Sequence, residues 1–423
     1  MHFLYKYCFV FLGMIVSSPL FSQSKWNVNY DESKITVNNL PPVLETTGGR
    51  KITNRRNWER RRRPEILRLF EENVYGRMPA KPRSFHYRIT EQSHSALAGK
   101  AIRKQLTLYF SEKDSNAAMN LILYLPKNAG PAPVFIGLNF KSNPSINTDP
   151  AILPSRYQAT KDGKIIPVER GVQSGRWPLQ QIIEAGFGVA TAYYQDIEPD
   201  HAEGWKTGIR TLLKDELHIQ PEEWSALGVW AWGLSRIQDY LEKDPDVDAK
   251  KTIVTGHSRL GKAALWAAAQ DQRFAIVVSN NSGEGGAALA RRNYGETIRV
   301  LNTAFPHWFV DKYEQYNDHP ENMPVDQHML IAMAAPRPVY VASAVDDRWA
   351  DPRGEFLSLQ YSSPVFELYQ LPTIKTESWP GPEGINHPIG TPFMHYHLRA
   401  GGHDITPYDW QQYIQFAKEY FSR

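Results

Sequence analysis

Residues 252–271 read TIVTGHSRLGKAALWAAAQD. A β-branched run stops at Gly256, and an alanine-rich run of helix formers begins at about Arg259, with only His257 and Ser258 between. Such a chain must pass from strand to helix in one sharp bend, because no residues are left for a loop. The bend lifts the Ser258 hydroxyl clear of a sheet and aims a helix N-terminus at the space in front of it. A serine there is either an N-cap or a nucleophile whose oxyanion meets helix amides. Arg259 and Lys262 bear on the choice, since both fall in the first helical turn, where a positive charge opposes the helix dipole. Lys262 is four residues from Ser258 and adjoins it on the helix surface. The two cations call for an anion in front of the helix, such as an oxyanion or a substrate carboxylate or ester.

The remaining sequence supplies the sheet that this bend requires. YRIT, KQLTLYF and NLILYLP read as strands, and PVFIGLNF is a continuous apolar run of the kind covered on both faces. Helix and strand then alternate: WPLQQIIEA, GFGVATAYYQD, a long helix over 221–244, KTIVTG, the helix after Ser258, FAIVVSNN, MLIAMAAP and RPVYVASAVDD. A final helix opens with Thr406 as cap and Pro407 at its first position. The pattern predicts an α/β-hydrolase fold, a mostly parallel central sheet flanked by helices on both faces. The spacing departs in one place from Gly-x-Ser-x-Gly: Leu260 holds the second glycine position, and Gly261 follows one residue late. Residues 31–50 read as an extended arm, a helix is expected from about Pro64, and the arginines before it read as a solvated face. No linker divides the chain, so residues 23–423 are expected to form one catalytic domain, with the arm and first helix over about 23–85.

Lys6, the apolar run from Tyr7 to Val16 and the small residues after it read as a secretory signal over residues 1–22. The mature protein is then exported, to the periplasm or beyond, and no other stretch is apolar for the ~18 residues of a membrane span. Cys8, the only cysteine, falls within the signal, which leaves no disulfide and no cysteine metal site in the mature chain. A net charge of +3 gives no push toward nucleic acid. No metal or cofactor is expected, and the chain is expected to be a monomer. The 12 Trp and 21 Tyr are enough to fill a core and still offer flat faces to a sugar.

Gly-His-Ser-Arg-Leu-Gly-Lys (256–262) resembles the nucleophile motif Gly-x-Ser-Arg-x-Gly-Lys of the bacterial glucuronoyl esterases, carbohydrate esterase family 15. The resemblance extends through WERRRRPEILRLFEENVYGRMP, SGRWPLQ, NNSGEGGAALARRNYGE, ASAVDDRWADPRGEF and RAGGHDITPYDW, in one order over most of the mature chain. It implies that Arg259 helps to bind the oxyanion and that Lys262 and Glu296 bind sugar hydroxyls. It also implies that Trp349 lies over the sugar with its indole N–H as donor. Arg176 and Trp177 match a family block but gain no role from it.

A serine nucleophile needs a base, and the base needs an orienting carboxylate. In the α/β-hydrolase order the acid follows the serine and the histidine comes last. His403 is the best base, in a Gly-Gly-His-Asp loop before the final helix, and it falls in the family's histidine block; His395 and His397 alternate within a strand-like run and read as structural. The acid is less defined. Many relatives carry a glutamate where this chain has Asn281, and a neutral amide cannot replace a carboxylate beside an imidazolium. Asp347, just past a late strand, is where ordinary α/β hydrolases keep the acid, and some bacterial relatives use that place. Asp347 is preferred, with Asp346 and Glu284 as alternatives. Asp351 before Pro352 reads as a helix cap.

The expected reaction is hydrolysis of a (4-O-methyl-)glucuronic acid ester through an acyl-enzyme, with glucuronoxylan carrying lignin-carbohydrate ester links as substrate. Two other readings are an exported carbohydrate acetyl esterase, which has no need of Lys262, Glu296 and Trp349, and a carbohydrate-binding homologue that has lost catalysis.

Overall fold

The computed structural model describes residues 26–423 apart from 36–38, 128–129, 159, 162–163 and 376–378. The expected signal segment, with Cys8, lies outside the described residues. In chain order the strands are β1 (His86–Ser95), β2 (Ala101–Tyr109), β3 (Ala118–Pro126), β4 (Ala132–Asn139), β5 (Thr160–Lys161), β6 (Lys164–Ile165), β7 (Gly188–Tyr193), β8 (Val247–His257), β9 (Ile276–Asn280), β10 (Val339–Ala344), β11 (Ile389–Gly390) and β12 (Met394–Arg399). Ten of these form one sheet in the order β1-β2-β3-β7-β4-β8-β9-β10-β12-β11, while β5 and β6 pair with each other. From β7 to β12 every neighbouring pair is parallel. The strands β1, β2 and β3 at one end and β11 at the other pair antiparallel. The expected mostly parallel sheet is therefore present.

The helices that matter for the site are α1 (Arg63–Phe70), α2 (Leu179–Glu184), α3 (Ala226–Leu241), α4 (Arg259–Gln270), α5 (Pro352–Tyr361) and α6 (Pro407–Phe421). They cover both faces, and the two-residue period of the strands divides the core between them. Val254, Val277 and Val341 join α3, α4 and α5 on one side, and Ile253, Val278 and Tyr340 join α2 and α6 on the other. Strands buried on both faces explain why their sequences read as unbroken apolar runs. The largest fully buried side chains include Trp58, Trp224, Trp230, Trp232, Trp266 and Trp410, and with the buried Trp177 and Trp308 eight of the 12 tryptophans serve the core.

Two details differ from the sequence reading. The first α-helical segment begins at Arg55, capped by the Asn54 side chain, and runs through a π-helical turn at Trp58–Arg62 into α1. Pro64 thus lies within a continuous helical segment rather than at its start; the wider turn before it accommodates a residue without an N–H. The arginines are not all solvated. Arg62 is buried against Glu65 and the carbonyls of Pro42 and Val43. Arg63 donates to Ala269 O at 2.6 Å, and Arg337 donates to Ala268 O at 2.7 Å. Two guanidinium groups therefore satisfy carbonyls at the C-terminus of α4, the favourable end of its dipole for a cation.

Candidate active site

The bend between β8 and α4 has the form that the sequence requires. Ser258 takes φ 56°, ψ −132°, a conformation that costs a non-glycine residue about 1–3 kcal/mol. The surroundings enforce it: Ser258 N donates to Asn280 O at 2.9 Å, and Ser258 O accepts from Gly261 N at 2.8 Å and Lys262 N at 3.1 Å. A Cβ at Gly256 would lie 2.0 Å from Leu260 O, and one at Gly261 would lie 3.0 Å from Gly256 O. The first turn of α4 folds back over Gly256, and this close approach is why the second glycine is needed at 261 as well as at the bend.

Three side chains converge on this point. Ser258 Oγ lies 2.8 Å from His403 Nε2, and His403 Nδ1 lies 2.6 Å from Asp347 Oδ2. His403 sits in the loop after β12, where Gly401 has φ +89°, a conformation that favours glycine. Asp347 sits in the turn after β10, with its N–H on Ala344 O, and is buried. Asn281 takes φ 45° just past β9 and donates from Nδ2 to Asp347 Oδ2 at 2.7 Å. Asn281, where the family resemblance led to the expectation of a glutamate, thus binds the Asp347 carboxylate. Asp346 is exposed, with its N–H on Gly401 O. Glu284 is buried and accepts from Tyr313 Oη at 2.6 Å and Gly285 N at 2.9 Å. Burial pushes the Glu284 carboxyl up to about 8.

The cations at the start of α4 meet anions of the protein's own, where the sequence left this place to an oxyanion or substrate. Arg259 pairs with Asp200, and its guanidinium lies over the Trp308 ring at 4.5 Å. Asp200 also accepts from Tyr194 Oη at 2.8 Å and Trp308 Nε1 at 2.8 Å, and contacts His307 Nε2 at 2.7 Å. Burial opposes the charge on Asp200, yet His307, Arg259, Trp308 and Tyr194 together hold its carboxyl well below the usual range. Lys262 Nζ reaches Ser282 O at 2.6 Å and Glu296 Oε2 at 2.8 Å, and Trp349 Nε1 donates to Glu296 Oε1 at 3.0 Å. All three residues singled out for the sugar therefore form one hydrogen-bonded cluster.

The sequence reading passed over Asp200, Trp308 and His307. Asp200 follows the strand β7 in YYQDIEPDH, and only an unpaired cation at Arg259 hinted that a carboxylate was owed. Arg176 pairs with Asp404 at 2.6 Å, and Trp177 is buried under α6, so neither matched block residue is an unassigned surface group. Asp351 is the expected cap, accepting from Gly354 N at 3.0 Å. His397 is structural as expected, buried between Tyr340 Oη at 2.9 Å and Asp409 Oδ1 at 2.8 Å. Among the described residues no cluster of three or more His, Cys, Asp or Glu is arranged to hold a metal ion. No helix of the described residues is long and apolar enough to cross a membrane.

Residues 180–369 match the family model described as glucuronyl esterase of fungi. The chain is 43% identical over 406 residues to the carbohydrate esterase MZ0003 of an unknown prokaryotic organism, covering 93% of this chain and 92% of that one. The glucuronoyl esterase from Solibacter usitatus superposes with a TM-score of 0.85 at 46% identity, over 92% of this chain and 100% of that one. A promiscuous esterase of carbohydrate esterase family 15 from a marine bacterial metagenome superposes equally well, with a TM-score of 0.85 at 42% identity over 93% of this chain and 100% of that one. Matches of this closeness, over more than nine-tenths of this chain and of its relatives, mean that the chain belongs to the glucuronoyl esterases of carbohydrate esterase family 15.

Proposed function

We propose that this enzyme is an exported, monomeric serine esterase that hydrolyses esters of (4-O-methyl-)glucuronic acid, as in the lignin-carbohydrate links of glucuronoxylan. The single observation that carries this reading is the unbroken hydrogen-bond chain Ser258–His403–Asp347, beside the Lys262–Glu296–Trp349 cluster. Ser258 Oγ attacks the C6 carbonyl carbon while His403 Nε2 takes its proton. Asp347 holds the proton on Nδ1 and faces the imidazolium that results. The oxyanion is met by the Arg259 N–H at the start of α4 and by its guanidinium, which Asp200 keeps in place. The tetrahedral intermediate then collapses, the C6–O bond to the alcohol breaks, and His403 gives its proton to the leaving oxygen. Water repeats the sequence on the acyl-enzyme, with His403 as base, and releases glucuronate. Lys262, Glu296 and Trp349 supply a cation, a carboxylate and an indole N–H, a set suited to vicinal hydroxyl groups.

The test compares benzyl glucuronate with 4-nitrophenyl acetate, with Ser258→Ala as the control. Glucuronate turnover abolished by Ser258→Ala is the expected result. Strong turnover of the acetate with none of the glucuronate ester would instead identify an acetyl esterase, and sugar binding without turnover would identify an inactive homologue.

A further inference from the structure

His257, the residue before the nucleophile, is buried and does not enter the mechanism above. Its Nδ1 lies 2.7 Å from Asn280 Oδ1. The orientation of that amide follows from its other end, where Asn280 Nδ2 donates to Tyr413 Oη at 2.8 Å and Asp409 Oδ1 at 3.2 Å. Asn280 therefore presents its carbonyl to His257, so His257 Nδ1 must carry the hydrogen and Nε2 must be bare. That Nε2 is buried and has no hydrogen-bond partner. The His257 ring packs against the His403 ring, with centroids 4.5 Å apart and planes at 44°, and it is backed by Phe140 at 6.0 Å.

We propose that His257 is a positioning residue for His403: an imidazole fixed in one tautomer that seats the His403 ring between Ser258 and Asp347 and stays neutral while His403 carries the proton. The inference rests on the roles given above to Ser258 and His403. His403 needs such a seat because it stands on a glycine loop and its side chain is 42% exposed. Without a packed face, only the hydrogen bonds at its two nitrogens would fix the ring. An uncharged, electron-rich ring beside it also suits the imidazolium of the transition state. The charged groups around His257 guard its neutrality. Arg176, paired with Asp404, and Arg399, paired with Asp409, both oppose a second positive charge, as does protonated His403. Burial, the largest influence, pushes His257 well below the ordinary histidine range in the same direction.

Two substitutions separate the seat from the fold. His257→Asn keeps a donor toward Asn280 but removes the ring. His257→Phe keeps a ring against His403 but removes the donor. For benzyl glucuronate, His257→Asn is expected to lower kcat about tenfold or more with KM within about twofold, and to move the acid limb of the kcat/KM profile to lower pH. His257→Phe is expected to melt at lower temperature yet to lose only about two- to threefold in kcat. The reverse ranking overturns the proposal. So does titration of His257 between about pH 5 and 9 in 15N spectra of the wild-type imidazoles, a measurement that needs neither variant to fold. Turnover surviving in Ser258→Ala would defeat the mechanism itself; an inactive Ser258→Ala with His257→Asn at wild-type rate and pH profile would defeat this inference alone.

Discussion

Replacing Asp347 by asparagine removes one charge from the site and leaves its shape intact. In the substituted protein the side-chain oxygen can still accept from Asn281 Nδ2 and His403 Nδ1, which now lie 2.7 and 2.6 Å from Asp347 Oδ2. What is lost is attraction between carboxylate and imidazolium once His403 has taken the proton from Ser258. For charges centred about 4 Å apart, an effective dielectric of about 20 gives about 4 kcal/mol. Asp347 is buried, but the His403 side chain is 42% exposed, so water screens part of this field. A loss of about 3–4 kcal/mol is expected, between about a hundredfold and a thousandfold in kcat. The assay is steady-state hydrolysis of benzyl glucuronate at neutral pH, with melting temperature as the control for folding. A fall of less than about fivefold in a normally folded variant would refute the reasoning and send the search to Glu284, despite its engagement with Tyr313.

Glu296→Gln keeps the acceptor for Trp349 but weakens the contact with Lys262, so KM for benzyl glucuronate should rise about tenfold while kcat/KM for 4-nitrophenyl acetate stays within about twofold. Equal losses on both substrates would place Glu296 outside sugar recognition. Asp200→Asn frees the Arg259 guanidinium, and kcat should fall about tenfold to a hundredfold with little change in KM; an unchanged kcat would remove that guanidinium from the oxyanion site. Burial pushes Glu355 up to about 8, although the N–H groups of Ser282 and Gly283 and the Ser343 hydroxyl donate to it. A carboxyl whose folded pKa is raised stabilises most below its unfolded value, here 4.5, and that stabilisation is lost as pH rises through about 8. The melting temperature should therefore decline between pH 5 and 9, and Glu355→Gln should flatten the decline; a parallel curve in the variant would show that Glu355 is ionised throughout.

Local order in the sequence was enough to specify the architecture and half of the site. Strands such as TIVTG and FAIVVSNN are apolar without a break because both faces are covered, and the two-residue bend at His257-Ser258 leaves the chain one way to turn. His403 was legible for a similar reason, since a histidine after two glycines and before a capped helix stands on a loop rather than in a core. The extent of the first helix was not legible, because Pro64 looks like a start wherever the π-helical turn ahead of it is not foreseen.

Tertiary structure alone decided the partners. Asp347 is 56 residues from His403, and Ser258 is 145. Their meeting depends on β8, β9, β10 and β12 lying side by side with their C-terminal ends together. Between Asp346 and Asp347 the sequence offers no physical distinction. The turn after β10 supplies it, sending one carboxylate to solvent and the other under the imidazole. Asp200 and Asn281 were decided in the same way. A hydrogen bond has a range of about 3 Å, and no spacing along a chain reports which distant atoms come within it until the sheet has fixed their places.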